Sequence, residues 1–438
     1  MPGNLSPGTK KWYPVVMFGL GLAHQMVAQW IIYFYSPPPS VEMTFYLDIG
    51  KVSVAMVMGR VIDALSDPVV AFFSDRAHSR WGRRKPFMLW GALFLLLSFV
   101  LLWRPPMEGA AAVNFLWVTV FLCFFFFFYS VVAVPYLALL PELARDDGER
   151  VALAVKQIAF YGGGAGMGFL ASSILGPLLG LPSLTLFFSI PIAFTLLWPT
   201  MVIEERKVST SPELLSVSWL KAWSSLGKDK IFLFWVATQA FTWAAVIMQV
   251  MLLPYLATSM LGISSYHDLS PLALVILLLG GGTGIGLTYK RVKKKGKDVA
   301  YRNALLLAGI FVALFSLAGG ELLPGTAQVH VALLLAAAVG PILLLLVLPN
   351  AVVAEISERR RLQKGEQREA MLYASQGLVA KLSMAGGSAI LGLFLSLFPL
   401  TAATQDGLRI SYLGSGILLL LATIFYQRFL YHKVFNWY

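Results

Sequence analysis

Ala111 to Leu140 reads AAVNFLWVTVFLCFFFFFYSVVAVPYLALL, a stretch without one charged residue. A helix that crosses the hydrocarbon core of a bilayer needs about 20 mostly apolar residues, and this run supplies them. Working outward, runs of similar length recur from Tyr13 to the last turn before Arg428. The whole chain of 438 residues is 58% hydrophobic and 13% charged, whereas soluble domains carry about 25% charged residues. Lipid is therefore the main solvent, and the expectation is an all-α membrane protein with about twelve transmembrane helices.

Apolar run length and Pro, Gly and charge punctuation place these helices. Helix I is expected over Tyr13–Tyr35, II over Ile49–Ser74, III over Pro86–Trp103, IV over Ala111–Leu140, V over Arg150–Leu179 and VI over Ser183–Ile203. The longest polar stretch then separates a second group: VII over Ile231–Leu261, VIII over Pro271–Tyr289, IX over Val299–Leu317, X over Val329–Ile356, XI over Glu369–Phe398 and XII over Arg409–Phe429. The expected organisation is an N-terminal six-helix bundle (1–203), a cytoplasmic linker (204–230) and a C-terminal six-helix bundle (231–438). An internal echo relates the halves. SDRAHSRWGRRKPF follows helix II and TYKRVKKKGKDV follows helix VIII, and their glycines, Gly82 and Gly296, lie about half the chain apart. Two pseudo-symmetric bundles of six are the plan of major-facilitator transporters.

A net charge of +12 invites a nucleic-acid reading, so the placement of the basic residues decides. Of the 34 Lys and Arg, 28 fall in the tails and in alternate loops that share one side, while the other side holds little beyond Lys51, Arg104 and Arg409. This is the positive-inside asymmetry, and it puts both termini in the cytoplasm of a plasma (inner) membrane. No segment is long enough for a soluble basic domain, so no nucleic-acid partner is expected. Cys123 is the one cysteine, which excludes disulfides within the chain. The first apolar run follows Lys10 and Lys11 and lacks a cleavage site close behind it, so it reads as a retained helix.

GRVIDALSDP in helix II holds the most informative residues. Asp63 and Asp67 are four apart and share a helix face. Ionised groups at that depth cost roughly 2.5 to 3.5 kcal/mol each on insertion scales, so something compensates them. Two carboxylates and a hydroxyl suit a hard cation such as Na+. Two like charges so close also raise one pKa, so the pair suits a proton equally. The structural alternative pairs Asp63 with Arg60 one turn earlier and leaves Asp67 to neutralise a nearby cation. The matching places of helix VIII hold Leu277 and Gly281, so the carboxylates belong to one half.

Lys381 lies well inside helix XI, within GLVAKLSMAGGSAI. A buried ammonium needs a partner or a cavity, and across a central cavity it would balance the helix II acids until a cation arrives. The alternative is a lysine that snorkels to the cytoplasmic surface. The loop that starts at Asp75 and ends RWGRRKPF has the form of a cytoplasmic gate. In it Arg83, Arg84 and Lys85 bond helix carbonyls or the acids of PELARDDGER, namely Glu142, Asp146 and Glu149; simple charge anchoring is the alternative. Polar residues for a midplane solute cavity are His24, Gln25 and Gln29 in helix I, Tyr136 in helix IV, and Lys156 and Gln157 in helix V. The second half adds Gln239 and Trp243 in helix VII and Gln376 in helix XI.

Two glycine strings, GGGAGMG in helix V and GGGTGIG in helix VIII, sit in apolar runs with no preceding strand. They read as close helix packing and not as a dinucleotide fingerprint. Nucleophile elbows, metal-ligand spacings and HExxH patterns are all missing, and the five histidines are scattered singly. An enzyme is not expected, nor is a cofactor beyond a coupling cation.

Three motifs carry a resemblance. GRVIDALSDPVVAFFSDRAHSRWGRRKPF, VPYLALLPELARDDGER and KGEQREAMLYASQGLVAKL, in that order and across most of the chain, resemble the glycoside-pentoside-hexuronide:cation symporters. This is a branch of the major facilitator superfamily that includes melibiose permease and the sodium-dependent lysolipid symporters. The resemblance implies that Asp63 and Asp67 are cation-binding carboxylates, Ser130 a hydroxyl ligand and Lys381 the charge-balancing lysine. It also implies alternating access with solute and monovalent cation moving together. Sugar-binding members carry aspartates where this chain has His24 or Gln25, and Ala133, and a helix V arginine aligns with Gln157 beside Lys156. Those departures make room for an amphipathic solute such as a lysophospholipid.

The expected function is thus cation (Na+ or H+)-coupled symport of a glycoside-like or related small organic solute by a lipid-embedded monomer. A lysolipid symporter is the alternative within transport. A non-transporting receptor or assembly factor on the same fold is the alternative outside it.

Overall fold

The computed structural model describes residues 7–77, 79–143, 147–203, 230–260, 294, 296–318, 327–349, 352, 353, 355, 356, 369–400 and 405–435. The described chain is helical throughout. Its helices are α1 (Pro7–Trp12), α2 (Val16–Tyr35), α3 (Ile49–Arg76), α4 (Lys85–Leu101), α5 (Ala112–Ala138), α6 (Leu140–Leu143), α7 (Asp147–Leu179) and α8 (Leu181–Val202). There follow α9 (Lys230–Tyr255), α10 (Lys297–Leu314), α11 (Ala327–Val347), α12 (Glu369–Leu397) and α13 (Asp406–Phe435).

Among the described residues, nine helices are long and apolar enough to cross a membrane. Helix α3 has the length but carries the charges of helix II, and α4 is a shorter apolar helix. Together these eleven occupy the expected places of helices I–VII and IX–XII. Helix VIII, with Leu277, Gly281 and the GGGTGIG string, lies outside the described residues, as does the linker up to residue 229.

Punctuation explains the ends. Pro86 and Pro182 sit in first turns, where a missing N–H costs nothing. Gly82 (φ 110°) and Gly296 (φ 80°) adopt a backbone that side chains disfavour, so both glycines of the internal echo do turn the chain ahead of a helix. Helix VII, expected to reach Leu261, is α-helical to Tyr255. Pro254 removes a donor from its ladder, and the chain goes on through a wider π turn over Leu256–Met260. The run expected for helix X is interrupted at Leu348, the residue that Pro349 disfavours in helix, and among the described residues helical backbone returns at Pro349, Val352, Val353, Glu355 and Ile356.

The chain divides into two compact units, the first carrying α1–α8 and the second α9–α13. In the first, α2 packs on α7 and α8, and α4 packs on α5 and α8. In the second, α9 packs on α12 and α13, and α10 packs on α11 and α13. These are the same four pairings once helices I, III, IV, V and VI are matched to VII, IX, X, XI and XII. In addition α3 packs along α5, which brings helix II against helix IV.

Close packing at these crossings depends on glycine. A Cβ on Gly164, in the GGGAGMG string, would collide with the carbonyl oxygen of Phe18, and one on Gly21 with that of Tyr161. In the second unit a Cβ on Gly387 would collide with the carbonyl of Ala244. The glycine string of α7 is thus a packing device. From the first turn of α5, Asn114 pins the loop ahead of it: its amide donates to the carbonyls of Met107 (2.8 Å) and Gly109 (2.9 Å) and accepts from the Met107 N–H (3.2 Å).

Candidate functional site

Helix α3 delivers Asp63 and Asp67 to one face, and α5 meets that face with Ser130. The Ser130 hydroxyl, fully buried, lies 2.7 Å from Asp67 Oδ1 and 3.2 Å from Asp63 Oδ1. Asp63 is 3% exposed, and Asp67 is part-buried. A hydroxyl has one proton to donate. It serves the nearer carboxylate, and the other contact brings a second carboxylate oxygen close without a hydrogen between. Three oxygens from two helices, so near one another, are the beginning of a coordination shell for a small hard cation, or a seat for one added proton.

Arg60, 1% exposed, stands one turn before Asp63. Its Nη1 is 3.9 Å from Asp63 Oδ2 and 2.9 Å from His24 Nε2 on α2. Its guanidinium rests 4.5 Å from the Phe126 ring centroid, a cation–π placement. Nε and Nη2 have no hydrogen-bond partner among the described residues. The expected Arg60–Asp63 neighbourhood is therefore present, yet the shorter bond goes to histidine. Because arginine only donates, His24 Nε2 accepts, and the ring is the neutral Nδ1–H form. Nδ1 then faces the Tyr161 hydroxyl of α7 at 3.2 Å, and Tyr161 is hydrogen-bonded to Tyr129 of α5. One polar chain so joins α2, α3, α5 and α7 in the middle of the first unit.

The other expected cavity residues are distributed as follows. Gln25 donates to Gln29 at 3.0 Å, one turn along α2. Gln157 is buried and donates to the Tyr13 hydroxyl at 2.9 Å, and that hydroxyl donates to the Tyr136 carbonyl at 3.1 Å while the two tyrosine rings stack at 4.6 Å. Lys156, beside it, is exposed. In the second unit Gln239 donates to the Tyr301 hydroxyl at 3.1 Å, and Gln376 accepts from Trp235 Nε1 at 3.2 Å. The buried indole N–H of Trp243 has no partner among the described residues. Lys381 is on α12 and part-buried.

At the loop that follows α3, Arg84 is buried, donates to Asp75 at 3.3 Å and also bonds the Ala138 carbonyl in the last turn of α5. Lys85 donates to the Met201 carbonyl of α8 at 3.1 Å, and Arg83 is part-buried. Glu149 pairs with Lys10. The side chain of Glu142 and all of Asp146 lie outside the described residues. These bonds tie helix ends together within the first unit. In the second, Lys297 pairs with Glu355 at 2.6 Å just after the equivalent glycine turn.

A family model described as MFS/sugar transport protein matches residues 14–432. The chain belongs to that family. It is a multi-pass membrane protein of a transporter family and not an enzyme. Its similarity to individual members is modest. The isoprimeverose transporter of Lactiplantibacillus pentosus is 24% identical over 37% of this chain and 36% of its own length. The inner membrane symporter YicJ of Escherichia coli is 32% identical over 32% of this chain and 30% of its own. The sodium-dependent lysophosphatidylcholine symporter 1 of Xenopus tropicalis is 34% identical over 24% and 21%. The chain thus matches about a third or less of the length of these relatives. Among solved structures, a bacterial homologue of the human lysosomal transporter Spinster superposes with a TM-score of 0.67 at 15% identity, over 98% of this chain and 96% of that one. The nucleoside transporter NupG gives 0.62 at 12%, over 96% and 99%. These likenesses establish the major facilitator fold.

Sequence reasoning selected Asp63, Asp67, Ser130, Arg60 and His24, which the fold brings together. It passed over Tyr129, Tyr161 and Tyr13. Tyr129 adjoins Ser130, and Tyr161 follows Gln157 by one helical turn, so helical spacing from residues already chosen was the available signal.

Proposed function

We propose that this protein is a symporter that moves a monovalent cation, Na+ or H+, together with a glycoside-like or related small organic solute by alternating access. The observation that carries the reading is the buried Asp63–Ser130–Asp67 cluster. Two carboxylate oxygens and a hydroxyl at these separations suit a small hard cation or one added proton, and the resemblance assigns the charge-balancing role to Lys381 on α12. The basic distribution supports cytoplasmic termini in a plasma (inner) membrane, and each chain holds both bundles, so a monomer suffices.

A second reading has its own observation. His24 or its neighbour Gln25 stands where sugar-binding members carry an acid on helix I, and the His24 ring nitrogens face Arg60 and Tyr161; those bonds are not offered to sugar hydroxyls. A polar-headed amphiphile such as a lysophospholipid makes less demand on that position.

Uptake into proteoliposomes, with Na+ and pH gradients applied in turn against a panel of glycosides and lysolipids, tests both readings. Cation-driven uptake is expected, and Asp67→Asn is expected to abolish its cation dependence. Unchanged dependence in that variant would remove the coupling assignment. Binding of a labelled solute with no uptake under either gradient would instead favour a receptor.

A further inference from the structure

His24 Nε2 lies 2.9 Å from Arg60 Nη1, while Asp63 Oδ2 lies 3.9 Å from the same nitrogen. A guanidinium prefers a carboxylate, with bonds to charged partners being shorter and stronger than to neutral ones. Here the short bond goes to a neutral ring. Tyr161 holds that ring from its far side at 3.2 Å, Tyr129 backs Tyr161, and Phe126 supports the guanidinium from below at 4.5 Å. Arg60 has two further nitrogens with no partner among the described residues, so the position is not one that maximises its own bonding. It is one in which its charge is held back from the acid.

We propose that His24 is a positioning residue that sets cation affinity by keeping Arg60 off Asp63. The argument is competitive. Arg60 and the transported cation seek the same carboxylate. A direct Arg60–Asp63 bond would neutralise Asp63, tie up Oδ2 and leave Asp67 as the one charged ligand. With Nη1 accepted by His24, Asp63 keeps its charge for the cluster at Ser130. His24 reaches the cation site through Arg60. This inference rests on the symport reading.

The test uses the purified full-length protein in micelles, with Na+ binding followed by calorimetry and proton uptake by an indicator dye. His24→Leu is expected to raise the half-saturating concentration of whichever cation binds by about ten- to a hundredfold, the worth of one buried hydrogen bond to a charge. His24→Gln keeps an acceptor and is expected to restore most of that affinity. In the Arg60→Gln background, His24→Leu is expected to add no further loss. A His24→Leu protein that folds, elutes as a single species and binds its cation with unchanged affinity would overturn the proposal. So would equal losses in the presence and absence of Arg60. If the unmodified protein binds neither cation, the symport reading falls first and this one with it.

Discussion

Where α2 crosses α7, Gly164 sits against the Phe18 carbonyl; where α9 crosses α12, Gly387 sits against the Ala244 carbonyl. The contacts around the two crossings differ in kind. The first unit places Arg60, His24, Tyr161 and the carboxylates of α3 beside its crossing. The second holds Gln239 with Tyr301 and Gln376 with Trp235 amid tilted and edge-on aromatic rings, and its charges there are Asp298, bonded by Tyr426, and Lys381 on α12. Backbone packing was kept in both halves, because a close crossing tolerates no side chain. Ion chemistry was free to differ, because it sits in side chains that the crossing does not constrain.

That contrast can be broken in three ways. The largest effect is expected from Gly164→Leu and Gly387→Leu, each of which drives atoms into the backbone of a neighbouring helix. Each should eliminate folded protein in size-exclusion profiles, whereas Gly162→Ala and Gly166→Ala, with nothing within 4 Å of a new Cβ, should leave the profile intact. If only the first-unit variant failed, the equivalence of the crossings would be lost.

A smaller effect separates the interiors. Ser130→Ala removes an oxygen between two carboxylates and should raise the cation half-saturation about ten- to a hundredfold, in line with a hydrogen bond to a charged group at roughly 1.5–3 kcal/mol. Gln239→Leu should leave that value in place and change solute half-saturation instead. A shared shift in cation affinity would mean that the ion site is not confined to one half.

The smallest effect concerns the loop ends. Arg84→Gln breaks buried bonds to Asp75 and to the Ala138 carbonyl and should lower thermal stability by about 1–3 kcal/mol. Lys297→Gln breaks a pair whose partners are part-exposed, and about 0–1 kcal/mol is expected. Melting curves of the two variants, read side by side, decide whether the turns are unequal braces.

The sequence displayed some of this and hid the rest for physical reasons. Membrane spans are legible because lipid imposes a length and a composition, and the ends of α4, α7 and α12 follow from Pro, Gly and charge. Asp63 and Asp67 stand out because charge in such a helix is expensive, and Ser130 entered by resemblance. The choice Arg60 makes between Asp63 and His24 is settled by about an ångström of side-chain reach between two helices, which periodicity does not encode. Gln157 reads as a cavity residue by polarity alone, yet Tyr13, far away in the chain, takes its amide. Lys156 beside it is exposed, since neighbouring helical positions face different ways.

The seam between α7 and the run from α1 through a 3-10 turn into α2 is fastened at intervals: Lys10 to Glu149, Tyr13 to Gln157, Phe18 to Gly164, His24 to Tyr161 and Trp30 to Ser172. From Lys10 to Trp30 a helix rises about 30 Å, the thickness of the hydrocarbon core. Riveted from one membrane face to the other, the two helices form a single stave. In such a stave a push at its Lys10 end arrives at Trp30 as tilt. The polar chain at His24 rides on it as a load near its middle.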